Sequence, residues 1–250
     1  MSGKVRLDRL LVGRGLAESR EKAQALILAG QVVVGPEGAP GRVLKPGQMV
    51  AVESELRLTA PLPYVSRAGG KLAAALDHWN IAVAGRVCLD IGSSTGGFVD
   101  CLLQRGAARV YAVDAGTGQL DWRLRQDPRV VVRERTNARY LAWETIGERA
   151  DLITCDVSFI SVTLILPALR QFLEAGSEAV VLAKPQFEAG RREVGKGGVV
   201  RDPEVHRAVV EKVSRAVAAL GFGQVEWLAS PLPGAEGNRE FLVHGWRWSP

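Results

Sequence analysis

The densest chemistry in this sequence lies in ten residues, Leu89-Asp90-Ile91-Gly92-Ser93-Ser94-Thr95-Gly96-Gly97-Phe98. Gly92, Gly96 and Gly97, at the junction of an apolar run and a helix start, are expected to let a ligand approach the backbone where helix amides point outward. Ser93, Ser94 and Phe98 complete this candidate cofactor loop. Asp90 puts a carboxylate inside the turn, which would repel a pyrophosphate and welcome a cationic aminoacyl group. A second acid, Asp114, ends the next apolar run, where it can accept hydrogen bonds from both hydroxyls of a ribose. A glycine-rich turn alone serves dinucleotides and nucleosides equally, but the two acids in this order favour S-adenosylmethionine over NAD. Asn137, in Arg135-Thr136-Asn137-Ala138, is placed either to reach the adenine end of such a cofactor or to cap the turn after a strand.

Four further residues form a second constellation: Lys71, Asp156, Lys184 and Glu240. Asp156 follows one apolar run and Lys184 ends another, Val180-Val181-Leu182-Ala183. In an open α/β sheet the carboxyl ends of the strands converge on the ligand crevice, so both are expected at the cofactor edge. Burial of a lysine there disfavours its charged form and makes a proton-accepting amine plausible, while neighbouring carboxylates oppose that shift.

The elements that must position these groups follow from periodicity. Short apolar runs at Val87–Ile91, Val110–Val113, Val130–Arg133, Leu152–Cys155 and Ala179–Ala183 alternate with helical stretches or loops, the pattern of a parallel, doubly wound sheet. A helix is expected from Pro203 to about Leu220, capped by Asp202 and stopped at Gly221, with β segments near Gln224–Leu228 and Glu240–His244. The front of the chain reads as a smaller α+β unit. Leu7, Leu10 and Leu11 recur at helical spacing, and Ser19 can cap a second helix carrying Ala23, Leu26 and Ile27 inward up to Gly30. Strands near Gln31–Val34 and Met49–Val52 follow, with turns through Pro40-Gly41 and Lys45-Pro46-Gly47. Thr59-Ala60-Pro61-Leu62-Pro63 reads as a stiff connector. The division expected is 1–60, a connector at 61–66, and a larger domain over 67–250.

Charge marks the same boundary. The chain of 250 residues carries 32 Lys and Arg against 27 Asp and Glu, yet the whole excess of five lies within residues 1–71. Such asymmetry is the footprint of a polyanion-binding surface. At 47% hydrophobic and 24% charged residues, the composition excludes a disordered tail protein. Three widely spaced cysteines and three histidines without metal-ligand spacing argue against a disulfide framework, a structural zinc or any bound metal. No run approaches the roughly 18 apolar residues of a membrane span, and the first apolar run is broken by Asp8, Arg9 and Arg14. A cytoplasmic protein without membrane contact is expected.

Taken with their surroundings, these residues resemble the TlyA family of ribosomal RNA 2′-O-methyltransferases, also labelled haemolysin A-like, over essentially the whole chain. The front part is similar to an S4 RNA-binding domain in Arg6-Leu7-Asp8, Gly15-Leu16-Ala17-Glu18-Ser19-Arg20, Ala23, Leu26-Ile27, Gly30, Val32 and Val34. The back part resembles an FtsJ/RrmJ-type methyltransferase, a Rossmann-like class I sheet. The cofactor motif falls on Asp90 to Phe98, and the Lys-Asp-Lys-Glu tetrad on Lys71, Asp156, Lys184 and Glu240.

The resemblance implies methyl transfer from S-adenosylmethionine to a ribose 2′-hydroxyl, of a cytidine in ribosomal RNA within assembled subunits. Lys184 would deprotonate and orient the hydroxyl, Lys71 and Glu240 would hold ribose and lysine, and Asp156 would stand between cofactor and lysine. Arg6, Arg9, Arg14, Arg20 and Lys22, with Arg67 beyond the connector, are the expected RNA contacts. Two other readings compete: an inactive RNA-binding assembly factor, against which the intact tetrad argues, and a membrane-active haemolysin, against which the absence of a signal, span or strongly amphipathic cationic helix argues.

Overall fold

The computed structural model describes residues 3–28, 30–35, 44–58, 63–234 and 237–248. The chain divides into two compact units after Pro63. The turn at Pro40-Gly41 and the connector residues Thr59 to Leu62 lie outside the described residues.

The amino-terminal unit runs β1 (Lys4–Arg6), α1 (Leu7–Gly13), α2 (Arg20–Leu28), β2 (Val32–Val34), β3 (Met49–Ala51) and β4 (Leu56–Leu58). β1 pairs with β3 and β2 with β4, both antiparallel. β2 and β3 fall on the expected strands, and β1 and β4 were not expected. The two helices bury Leu7, Leu10, Leu11, Ala23 and Ile27 in one apolar cluster, and the Ser19 hydroxyl accepts the Lys22 amide at 3.2 Å, as expected of an N-cap.

The polar centre of this unit is Asp8, a residue with no side-chain exposure. It takes a two-point contact from Arg6, at 3.0 and 2.7 Å, and further bonds from Arg20 Nε at 3.0 Å and Gln24 Nε2 at 3.1 Å. The Arg6 guanidinium holds the carboxyl well below the usual carboxylate range. Arg14 donates to the carbonyls of Ser54 and Val52. Three of the five cations expected on an RNA surface therefore have intramolecular partners, while Arg9 and Lys22 stand exposed.

The larger unit begins with α3 (Arg67–His78) and continues β5 (Val87–Ile91), α4 (Gly97–Gln104), β6 (Arg109–Val113), α5 (Trp122–Gln126), β7 (Val130–Arg133), α6 (Trp143–Ile146), β8 (Leu152–Cys155), α7 (Leu166–Leu169), β9 (Glu178–Ala183), α8 (Pro185–Glu188), α9 (Pro203–Ala218), β10 (Phe222–Ala229) and β11 (Phe241–Trp248). Seven strands form one sheet in the order β10-β11-β9-β8-β5-β6-β7. It is parallel through β9-β8-β5-β6-β7, and β11 enters antiparallel to both of its neighbours. The five strands expected to be parallel are so, and the two later β segments join at one side through antiparallel pairings.

Alternation along the strands sorts their side chains into two layers. Leu89, Ile91, Ile153, Cys155, Val181, Ala183 and Val243 pack with α7 and α9. Cys88, Leu152, Val180, Leu182 and Leu242 pack with α3 and α4. Continuing that period of two puts Asp90, Thr154, Asp156, Lys184 and Glu240 on the α3/α4 face, so one side of the sheet collects the whole constellation. Gly69-Gly70 disguises α3 in the sequence, because glycine disfavours a helix interior. Here glycine is needed: a Cβ on Gly69 would lie 2.7 Å from the Gly97 carbonyl oxygen, and one on Gly97 would lie 2.9 Å from the Gly69 nitrogen. Their contact brings α3 against the start of α4 and sets Lys71 over the sheet edge.

Replacing Asp8 by alanine removes the acceptor shared by Arg6, Arg20 and Gln24, and is expected to cost the amino-terminal unit about 2 kcal/mol. Hydrogen exchange in the intact chain checks this: amides of residues 7–28 should lose protection while those of the large sheet keep theirs.

Candidate active site

Two cavities of about 490 and 500 Å³ open at the carboxyl edge of the large sheet. Asp114, Gln119, Asn137 and Asp156 line the first, and Lys71, Lys184, Glu240 and Arg67 the second. Ser158 and Phe159 line both.

Asp114 meets the description of a hydroxyl-binding acid. Its two oxygens accept the Ser94 amide at 2.8 Å and the Gly116 amide at 2.7 Å, which fixes the carboxylate and leaves lone pairs for a ligand. Ser94 and Gly92 line the same cavity. Asn137 accepts the Arg139 amide as a cap and also lines the first cavity.

The rest of the glycine-rich turn departs from expectation. Ser93, Gly96, Gly97 and Phe98 are buried, and Phe98 packs in the core layer beneath α3. A Cβ on Gly92 would come within 2.4 Å of the Asp156 carbonyl oxygen, and one on Gly96 within 2.7 Å of the Leu120 side chain. These glycines let the protein's own backbone and side chains approach closely, and Gly92 lines the first cavity as well.

Asp90 also needs correction. It lies inside β5, fully buried, accepting the Thr154 hydroxyl at 2.5 Å, while its Oδ2 has no partner. Burial pushes its carboxyl up to about 7, with Asp156 and Asp114 adding to the rise. Asp90 therefore stands behind the cavity wall and not in the turn.

The tetrad assembles as two ion pairs. Lys71 Nζ lies 2.5 Å from Glu240 Oε2, with side chains 9% and 2% exposed. Lys184 Nζ lies 2.6 Å from Asp156 Oδ1. The second contact lacks hydrogen-bond alignment, since Asp156 Oδ1 has no hydrogen-bond partner. The hydrogen bond of Lys184 goes instead to Ser158 Oγ at 2.9 Å. Asp156 thus faces the first cavity and Lys184 the second, with their ion pair between them.

Several contributors were not legible as site residues. Phe159 is 92% exposed, has left-handed backbone with φ of +66°, and lies 5.3 Å from the Phe187 ring between centroids. A lone aromatic after Asp156-Val157-Ser158 gives no sequence signal of exposure, because such residues usually turn inward. Glu188 is buried and accepts the Ser161 hydroxyl at 2.5 Å, the Val162 amide at 2.6 Å and the Lys212 amine at 2.9 Å. It ties α8, which follows Lys184, to the segment that follows Phe159. Among the described residues no group of His, Cys, Asp and Glu is arranged to hold a metal ion, and no helix is long and apolar enough to cross a membrane.

An FtsJ-like methyltransferase model matches residues 64–247 and an S4 domain model residues 5–56. The 16S/23S rRNA (cytidine-2′-O)-methyltransferase TlyA of Mycobacterium tuberculosis is 49% identical over 97% of this chain and 90% of its own length. The chain belongs to the TlyA family of FtsJ-like methyltransferases. A relative called Hemolysin A, from Brachyspira hyodysenteriae, is 42% identical over 96% of this chain and 99% of its own length. A solved structure from Streptococcus thermophilus, described as a candidate hemolysin, superimposes with a TM-score of 0.75 at 43% identity, covering all of this chain and 90% of that one. Membership in the FtsJ-like family agrees with a sheet whose carboxyl edge carries two acids toward one cavity and two lysines toward its neighbour.

The displaced Asp90 has a measurable consequence. In the unfolded chain it releases its proton near pH 4, whereas the folded protein holds it to about 7. Between those values the native state binds more protons, so stability falls as pH rises from 4 to 7 and is level above that. The loss is on the order of 4 kcal/mol for this group alone. Urea unfolding of the cofactor-free protein at several pH values should show Asp90→Asn removing that slope.

Proposed function

We propose that this protein transfers a methyl group from S-adenosylmethionine to the ribose 2′-hydroxyl of a cytidine in ribosomal RNA, acting on assembled ribosomal subunits in the cytoplasm. The observation that carries the reading is the Asp156–Lys184 pair between two cavities, one suited to a nucleoside and the other containing the remaining lysine and glutamate. TlyA relatives named for this reaction support it.

When bound, S-adenosylmethionine supplies an electrophilic methyl group on a sulfonium. Asp114 would accept hydrogen bonds from the ribose hydroxyls of that molecule, and Asn137, which lines the same cavity, would meet its adenine end. Asp156 offers a carboxylate to its cationic end. In the second cavity a 2′-hydroxyl is a weak nucleophile until its proton is taken. Lys184 in its neutral form would accept that proton and leave the ribose oxygen free to take up the methyl group. Lys71, held by Glu240, donates to the ribose and fixes the oxygen's approach. Phe159, exposed between the cavities, offers a ring face to the base of the target nucleotide, which must leave its stack to reach the site.

The proposed division of labour assigns RNA capture to the unit up to residue 60 and catalysis to 67–250, joined through 61–66. Arg9 and Lys22 are the cations best placed for phosphate, because Arg6, Arg14 and Arg20 have intramolecular partners. Arg67 lines the second cavity and meets the RNA near the target.

Lys184→Ala should reduce single-turnover methylation of ribosomal subunits by roughly 10²–10⁴-fold while leaving S-adenosylmethionine binding within several-fold of wild type. Asp114→Ala should do the reverse, weakening cofactor binding by about 10–100-fold and leaving RNA affinity intact. Methylation by Lys184→Ala at the wild-type rate, measured with radiolabelled cofactor, would overturn the assignment.

A further inference from the structure

Ser158 carries no charge and belongs to no expected catalytic set, yet its hydroxyl makes the hydrogen bond of the Lys184 amine, at 2.9 Å. The carboxylate of Asp156 is nearer, at 2.6 Å, and meets the same amine as an ion pair outside hydrogen-bond geometry. Charge alone does not aim an amine, since an ion pair tolerates rotation that a hydrogen bond does not. Ser158 also lines both cavities, and its segment is fixed at each end. The Asp156 amide donates to the Ile91 carbonyl at 2.9 Å, and the Ser161 hydroxyl donates to buried Glu188 at 2.5 Å.

We propose that Ser158 is a positioning residue for methyl transfer: it accepts one N–H of Lys184 and so directs the rest of the amine toward the substrate hydroxyl. The inference rests on the 2′-O-methylation reading above. An ammonium has three donor directions. Ser158 occupies one and Asp156 constrains the amine from the cofactor side, which leaves the side of the second cavity open for the ribose oxygen. After the proton has been accepted, the same hydroxyl receives a hydrogen bond from the ammonium at an exposed rim, where water can take the proton onward before the next turnover. The charged groups facing Lys184 are Asp156 beyond β8, Lys71 and Arg67 on α3, and Glu240 ahead of β11. All of them remain in a Ser158 variant, so its effect on proton uptake is separable from theirs.

The test is the pH dependence of single-turnover methylation, with saturating S-adenosylmethionine and intact ribosomal subunits, for wild type, Ser158→Ala, Ser158→Thr and Lys184→Ala. In Ser158→Ala the plateau rate is expected to fall about tenfold. The acid limb should move to lower pH, because a lost acceptor no longer favours the charged amine. Cofactor binding should change by less than about twofold, and Ser158→Thr, which keeps the hydroxyl, should recover both rate and limb. A Ser158→Ala protein with wild-type rate and limb overturns the proposal. So do Ala and Thr variants that are equally slow with the limb unmoved, which would mark a purely steric role. If Lys184→Ala is inactive while Ser158→Ala is normal, only this proposal falls. If Lys184→Ala is fully active, the parent reading falls with it.

Discussion

Two lysine ammoniums stand at the carboxyl edge of the large sheet with only 9% and 11% of their side chains exposed. Removing an ammonium from water is costly unless a carboxylate stands against it, and the strand order supplies one to each. β9 lies between β8 and β11, so the lysine that ends β9 finds the acid that follows β8 on one side. The antiparallel pairing of Phe241 with Ala183, carried one step further, places Glu240 opposite Lys184 on the other. The single reversed strand is therefore what delivers the fourth charged group. A parallel strand in that place would put its carboxyl end, not its start, at the site. Lys71 then closes the arrangement from α3, 169 residues from its partner in sequence.

That closure needs α3 to lie close to the sheet, and the glycine pair at 69 and 97 permits it. In the sequence, Gly97 reads as part of a ligand loop, and Gly69-Gly70 carry no reading of their own. In the structure they are the contact between α3 and α4, with a spacing that no Cβ fits. Gly92 acts similarly toward the Asp156 backbone. Part of the glycine content thus holds the tetrad's supports together, and the first cavity is lined largely by Asp114, Ser94 and the 156–160 segment.

The sheet was legible because its strands are short apolar runs bounded by turn residues: three of the five parallel strands start at the expected residue, and β6 and β9 start one residue earlier. Which residues face the cavity was harder to read, for a physical reason. A carboxylate one residue before the end of a strand and one just beyond it share a face of the sheet but differ in depth, as buried Asp90 and partly exposed Asp156 show, yet both read as acids at a strand end. Residue type identified the tetrad, but its pairing depends on contacts across 28 and 169 positions in sequence, which local periodicity does not contain. Ser158 and Glu188 lie within the segments that drew attention, and nothing in a serine or glutamate alone announces which backbone or amine it will hold.

The charge asymmetry acquires a different meaning once partners are known. An excess of five positive charges before residue 72 suggests a uniformly available cationic surface, but Asp8 gathers Arg6 and Arg20, and Arg14 caps two carbonyls. Those arginines build the small domain: a buried carboxylate with several donors fixes how α1 meets α2, which burial of apolar groups alone would leave free to slide. The positive field persists, since pairing one aspartate with two arginines leaves a net charge of plus one, so the unit still attracts phosphate at a distance. Close contact, by contrast, requires side chains free to leave their own surface. In the proposed reading, long-range attraction and local grip thus belong to different features of the same unit, the first to its net charge and the second to exposed cations such as Arg9 and Lys22.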